Sequence, residues 1–267
     1  MRRRRNPGTL ARVQISTDDL EIAAVPGWRA RDEARLGDWL LRAADGFTGR
    51  ANSALAIGDP GLPLPAAIKQ VRGWYAERSL PAMIAVPYPT GEPAASPLDR
   101  MLAGLGWTIR ADAAIVMTAG ASSVAAQAQA AGAVIEIDPE PDASWLARYH
   151  YRGGQLPPIA LRLLTSAPWQ EFGSVRSAGE TIAIGRVAGS GQWAGLTAIE
   201  IAREHRRQGL AAAITAALAA RAASCGFPNL YLQVTDDNTA ARRLYSRLGF
   251  TDHHGYHYRV APAAGHS

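Results

Sequence analysis

Along the chain, short apolar runs alternate with stretches of helical spacing, and the alternation runs through twice. Residues 20–25, apolar except for Glu21, read as a first strand. Residues 38–48 and 51–57 read as further strands, punctuated by Gly49 and by the turn Gly58-Asp59-Pro60-Gly61. Between 66 and 79 the apolar positions Ala67, Ile68, Val71, Trp74 and Tyr75 keep the spacing of a helix face. Residues 82–86 follow as a buried strand, 97–105 as a short helix stopped by Gly106, and 109–118 as a strand. Residues 119–132 are small, uncharged and rich in alanine, which reads as a linker with some helical propensity. A second series follows. Strands are expected at 133–137, 172–176, 181–188, 193–202, 230–234 and 251–260, and helices at 143–151, 159–164, 209–225 and 239–248.

The two series share residues as well as rhythm. Leu105-Gly106-Trp107-Thr108 matches Leu248-Gly249-Phe250-Thr251, Ala66-Ala67-Ile68 matches Ala212-Ala213-Ile214, and Pro81 matches Pro228. Several matches in one order imply a duplicated unit. The expected organisation is a basic tail (1–19), a first domain (20–118), a linker (119–132) and a second domain (133–262).

Composition narrows the classes. The chain has 267 residues, of which 48% are hydrophobic, enough for a sizeable core. No apolar run is long enough to predict a membrane helix. Of the net charge of +5, Arg2, Arg3, Arg4 and Arg5 supply four, so the body is close to neutral. Such a tail reads as a solvated terminus, with nucleic acid or anionic lipid as the alternative partner. No apolar segment follows it as a signal peptide would require, and the one cysteine, Cys225, builds neither a disulfide nor a thiolate metal site. A cytoplasmic location is the expectation.

The chemistry concentrates between Ile199 and Tyr245. There a strand runs into the polar loop Arg203-Glu204-His205-Arg206-Arg207-Gln208, and a helix starts at Gly209. The first amides of a helix have no internal partner and point along the positive end of its dipole, which suits a phosphate. Gly209 lets a ligand approach the backbone, Ala211 keeps the next position small, and Arg206 and Arg207 add positive charge. One helix and one strand later comes Asn238-Thr239-Ala240-Ala241-Arg242-Arg243-Leu244-Tyr245, followed by Gly249-Phe250.

Together these two segments resemble the Gcn5-related N-acetyltransferase (GNAT) superfamily. The loop Arg206-Arg207-Gln208-Gly209-Leu210-Ala211 matches its Arg/Gln-x-x-Gly-x-Gly/Ala motif, and Asn238, Ala241, Leu244, Tyr245, Gly249 and Phe250 match its Asn-to-Phe helix motif. The match covers roughly residues 132–260, and the stretch from Trp39 to Ser53 is similar to actinobacterial tandem members with a degenerate first domain. The resemblance implies an α/β (α+β) fold, a mixed central sheet flanked by helices, in two tandem copies. It implies an acetyl-CoA-dependent N-acetyltransferase that needs no metal, acting on a small-molecule or peptide amine by direct attack, as a monomer or homodimer. The amides of Arg207, Gln208, Gly209, Leu210, Ala211 and Ala212 would hold the coenzyme A pyrophosphate, with Arg206 beside them. The backbone of Ile199 and Ile201 would pair with the pantetheine arm, Asn238 and Ala241 would flank it, and Tyr245 would protonate the departing thiolate. Glu200 is the nearest carboxylate for a general base, although it alternates with Ile199 and Ile201; a water chain or a carboxylate from elsewhere is the alternative.

Opposite Gly209 and Ala211 the first series carries Pro63 and Pro65, and opposite Tyr245 it carries Leu102. Proline has no N–H to offer a phosphate, so the first domain is expected to be a non-catalytic wall of the cleft. His253, His254 and His257 lie close together in the sequence without a cysteine or carboxylate cluster and read as packed or surface histidines. A non-catalytic acyl-CoA sensor is the competing function, and retention of Tyr245 speaks against it.

Overall fold

A computed structural model describes residues 15–93, 96–127, 132–150 and 154–263. The first half supplies helices α1 (Thr17–Ala24), α2 (Leu64–Ala76) and α3 (Pro97–Gly104) and strands β1 (Asp32–Leu36), β2 (Trp39–Ala43), β3 (Ala54–Leu55), β4 (Met83–Pro89), β5 (Thr108–Ile109) and β6 (Ala114–Gly120). After α4 (Ala121–Ala125) come β7 (Glu136–Asp138), α5 (Ala143–Arg148), α6 (Ile159–Leu164), β8 (Trp169–Ser177), β9 (Glu180–Ser190) and β10 (Trp193–Ile201). The chain closes with α7 (Leu210–Ser224), β11 (Asn229–Thr235), α8 (Thr239–Arg247) and β12 (Thr251–Val260).

All twelve described strands belong to one sheet, in the order β1-β2-β3-β4-β12-β6-β11-β10-β9-β8-β7, with β5 added on β12. Only β3–β4 and β10–β11 are parallel, one pair in each half. The last strand of each half has crossed to the other. Strand β6 pairs along its whole length with β11, from Ala114 against Thr235 to Gly120 against Asn229. Strand β12 pairs with β4, from His254 against Pro89 to Val260 against Met83. The two exchanged strands also pair with each other at the centre of the sheet.

The repeat holds at atomic detail. Helices α3 and α8 both end in a left-handed glycine, Gly106 at φ +77° and Gly249 at φ +94°. In each, the amide of the following aromatic residue reaches back along the helix: Trp107 N to Leu102 O and Phe250 N to Tyr245 O, both at 3.0 Å. That bond satisfies an orphan carbonyl at the helix end and turns a buried aromatic into the core.

Several expectations change. Of the strands expected at 38–48, 51–57 and 109–118, only β2 (Trp39–Ala43), β3 (Ala54–Leu55), the end of β5 and β6 from Ala114 form. Residues 20–25 are not a strand: Ser16 caps α1 by accepting from Asp19 N, Asp18 and Asp19 occupy its first turn, and Leu20 and Ala24 bury one face. A cap and an i, i+4 apolar pair outweigh a short apolar run. Of the segment read as a linker, Ala119 and Gly120 finish β6, and Ala121 and Val124 of α4 are fully buried against Ile214, Leu218 and Ala222 of α7. Residues 1–14 and 128–131 of the expected tail and linker lie outside the described residues. In the second half α7 and α8 cover one face of the sheet through Leu196, Leu230, Leu232 and Tyr245, whereas α5 and α6 lie on the other through Trp145, Leu163, Phe172 and Ile184.

Candidate active site

Strands β10 and β11 run side by side only from Trp193–Asn229 to Leu196–Leu232, then part. The cause lies in β10, where a bulge leaves Ala198 and Ile199 without ladder partners on β9 and holds Ala198 at φ +55°. A bulge adds a residue to one strand and bends it away from its line. Facing it on β9 is Gly185, where a Cβ would come within 2.7 Å of Ile199 Cδ1 and 2.9 Å of Leu218 Cδ1. The parted strands leave a cavity of about 660 Å³ that both halves line.

On the α7–α8 side the wall is made by Ile199, Arg206, Leu232, Asn238, Ala241 and Tyr245. Here the loop into α7 forms an open cradle. Arg207 (φ +62°) and Gly209 (φ +81°) are both left-handed. Gly209 is the N-cap and offers no capping side chain, so among the described residues the amides of Leu210, Ala211 and Ala212 point out of the helix uncapped. Residues alternating in this way turn successive N–H groups inward as an anion-binding concavity. Arg206 stays beside it, its Nε donating to Ile201 O at 3.3 Å, and Gln208 reaches Glu204 O. The cradle therefore fits a pyrophosphate, and α2 offers no counterpart, since it starts after Pro63 with a second proline in its first turn.

Tyr245 is 9% exposed, lies edge-on against Phe250 at 5.8 Å and puts its side chain on the cavity wall. Burial pushes its hydroxyl up to about 12. Asn238 caps α8, its Oδ1 accepting from Ala241 N at 3.1 Å, so the cap and the cavity wall are one residue's two duties. Ile201 turns its side chain into a cluster with Val175, Ile182 and Leu210 rather than to the cavity.

Glu200, alternating with Ile199 and Ile201, lines the cavity and is held by His150: Oε2 accepts from His150 N at 2.9 Å and Oε1 lies 2.8 Å from His150 Nδ1. His150, in the segment that follows α5, carried no motif, and only the fold brings it to Glu200. The rest of the wall comes from places the motif did not reach. Trp28, Thr48 and Arg50 enter from the first half, and Gln233, Tyr256 and Tyr258 from β11 and β12. Arg50 sits inside the Trp39–Ser53 stretch, the one signal that could have flagged it. Two of the three neighbouring histidines carry carboxylate partners that the sequence did not show: His254 Nε2 meets Glu21 Oε1 at 2.9 Å, and His257 Nε2 meets Asp99 Oδ1 at 2.6 Å. Both imidazoles are buried, and these pairs fasten α1 and α3 to β12. No group of three or more potential ligands arranged for a metal exists among the described residues. Nor is any described helix long and apolar enough to cross a membrane.

A sheet splayed at a bulge, with an uncapped helix start beside the gap, defines a Gcn5-related N-acetyltransferase. The chain belongs to the family described as the C-terminal part of the probable histone acetyltransferase Rv0428c, whose pattern matches residues 16–259. It is 31% identical over 250 residues to that Mycobacterium tuberculosis protein, covering 92% of this chain and 74% of the relative. It is 27% identical to the uncharacterized N-acetyltransferase YobR of Bacillus subtilis, over 90% of this chain and 97% of the relative. In fold it is similar to a Gcn5-related N-acetyltransferase from Kribbella flavida, with a TM-score of 0.69, 20% identity and coverage of 92% of this chain and 96% of that one. A tandem GNAT protein of the clavulanic acid biosynthesis pathway aligns with a TM-score of 0.65 and 13% identity, over 93% of this chain and 89% of that one.

Proposed function

We propose that the protein moves an acetyl group from acetyl-CoA to a primary amine by direct attack, with both substrates in the cavity together. The observation that carries this reading is the cavity between β10 and β11, lined by Arg206 from the loop into α7 and by the Glu200–His150 pair. Bound acetyl-CoA supplies the acyl group as an activated thioester. The amides from Arg207 to Ala212, with Arg206, hold its pyrophosphate, and the unpaired edge of β10 at Ile199 and Ile201 takes the pantetheine arm as an added strand. Asn238 and Ala241 bound the arm on the α8 side.

At the bulge, an amide released from the β9 ladder stabilises negative charge on the carbonyl oxygen. Glu200, oriented by His150, removes the proton from the acceptor's ammonium; with Nδ1 donating to Glu200, His150 Nε2 is the second seat for that proton. The amine nitrogen then bonds the carbonyl carbon and the carbon–sulfur bond breaks. Tyr245 donates a hydrogen bond to the departing sulfur. At about 12 its hydroxyl is a weaker acid than an ordinary thiol near 8.5, so its contribution is a strong hydrogen bond rather than complete proton transfer. The name of the mycobacterial relative places that protein's acceptor on a histone, and a lysine side chain belongs to the same primary-amine class. We further propose that the chain is built of two GNAT units, one in each half, the second carrying the cofactor site.

Isothermal titration with acetyl-CoA, on the wild type and on Gly209→Pro, tests the core of this proposal. Binding by the wild type that the variant loses is the expected result. A folded wild type that does not bind acetyl-CoA overturns it.

A further inference from the structure

The first-half side of the cavity carries a cation that no carboxylate of the described chain is bonded to. Arg50 lines the wall, and its Nη2 donates to the neutral Oε1 of Gln233, which also accepts from Tyr256 Oη at 2.9 Å. Its Nε is buried with no hydrogen-bond partner. Of the other charged residues lining the cavity, Arg110 is paired with Asp112 at 2.5 Å, Glu200 is hydrogen-bonded to His150 at 2.8 Å, and Arg206 stands at the α7 cradle, its Nε donating to Ile201 O. Behind the wall the excess deepens. Arg42 donates to Ser53 O and Oγ, and Arg186 to the carbonyls of Leu164 and Gly27, all neutral acceptors. Glu21, the buried carboxylate whose field reaches Arg50, is bonded to His254.

The loop that presents Arg50 is rigidly built. Asn52, 5% exposed, accepts from Ala44 N and Gly46 N and donates to Phe47 O and Thr48 O. Thr48 is left-handed at φ +64° and takes the indole N–H of Trp28. At Gly49 a Cβ would lie 2.8 Å from the Tyr258 ring, so only glycine lets the loop come this close to β12. An enclosed guanidinium without an anion carries an unmet desolvation cost, and a carboxylate is the charge-assisted acceptor that offsets it. One guanidinium suits a singly charged group.

We propose that Arg50 sets acceptor specificity, and that the acceptor is an amine bearing a carboxylate, which docks on Arg50 while its amine reaches the Glu200–His150 pair. This rests on the acetyl-transfer reading above, so its test uses product-like probes and a readout other than turnover. N-acetylglycine, N-acetyl-β-alanine and N-acetyl-γ-aminobutyrate, each beside its carboxamide, are titrated into wild type, Arg50→Gln and Arg50→Lys, with and without coenzyme A. At least one acid is expected to bind wild type roughly tenfold more tightly than its amide, a gap that closes in Arg50→Gln and narrows in Arg50→Lys. Coenzyme A affinity stays unchanged in both folded variants. Acids that bind no better than amides, or a gap that survives in Arg50→Gln, overturn the proposal. Loss of coenzyme A binding by the wild type strikes the acetyl-transfer reading instead, and the two failures are read separately.

Discussion

Tyr245 joins two roles that pull in one direction. Its ring fills the core between α8 and the sheet, and its hydroxyl ends at the cavity. Removing only the hydroxyl, as Tyr245→Phe, keeps the ring and its contacts. We expect kcat to fall by roughly 10²-fold, as for loss of a strong hydrogen bond to the departing sulfur, with acetyl-CoA affinity nearly unchanged, as steady-state kinetics and titration together would show. The same residue sets part of the alkaline limit. Between pH 10 and about 12 the folded protein keeps the Tyr245 proton that the unfolded chain has released. This contribution is full below pH 10 and is lost as pH rises through about 12. Burial raises Tyr75, Tyr231, Tyr256 and Tyr258 as well, with the same sign. Thermal unfolding followed across that window should decline less steeply for Tyr245→Phe than for the wild type. Tyr245 was legible in the sequence because a helix motif fixes its place by local spacing. His150 and Arg50 were not, because each reaches the cavity from a segment remote from that motif, and residue spacing carries no record of which loops meet.

At the scale of elements, the site depends on a strand that bends and a helix that starts bare. Gly185 leaves the room in which Ile199 and Leu218 sit opposite the bulge. Gly185→Ala must push Ile199 toward the cavity, which we expect to cost about 1–3 kcal/mol and to raise KM for acetyl-CoA more than it lowers kcat. A denaturant melt and a kinetic split check both halves of that statement; an unchanged KM would place the strain elsewhere. Most of these elements were readable from period and punctuation, α7 from its apolar face behind Gly209 and α6 from its compact apolar run. Helix α1 is not readable in this way, because Leu20 and Ala24 sit in a run too short to separate a period of 3.6 from one of 2. The bulge itself left no sign in the sequence, since the stretch from Trp193 to Ile201 is a mostly apolar run that reads as an ordinary strand.

For the whole molecule, the sequence announced a duplication and hid the exchange. Matching segments imply two similar units, but hydrophobic period says only that 114–120 is a strand, not whose neighbour it becomes. In the structure, β6 and β12 each complete the other half's sheet, so neither half closes its backbone hydrogen bonds alone. We expect a single cooperative transition in urea, coincident by circular dichroism and tryptophan fluorescence. A fragment beginning at residue 133 should fail to fold unless the first half is supplied with it; a stable, cooperative fragment would contradict this.

The exchange also sets an order of events during synthesis. The chain emerges from its N-terminus, and the partner of Met83 is Val260, in β12, the last of the described strands to be made. While the ribosome is at work, the first half must wait with β4 exposed as an open, apolar edge, whereas β6 is already at hand when β11 appears. The half made first is therefore the half finished last. Maturation of this protein is paced by the emergence of β12, and the interval before it is when strand β4 is open to wrong partners.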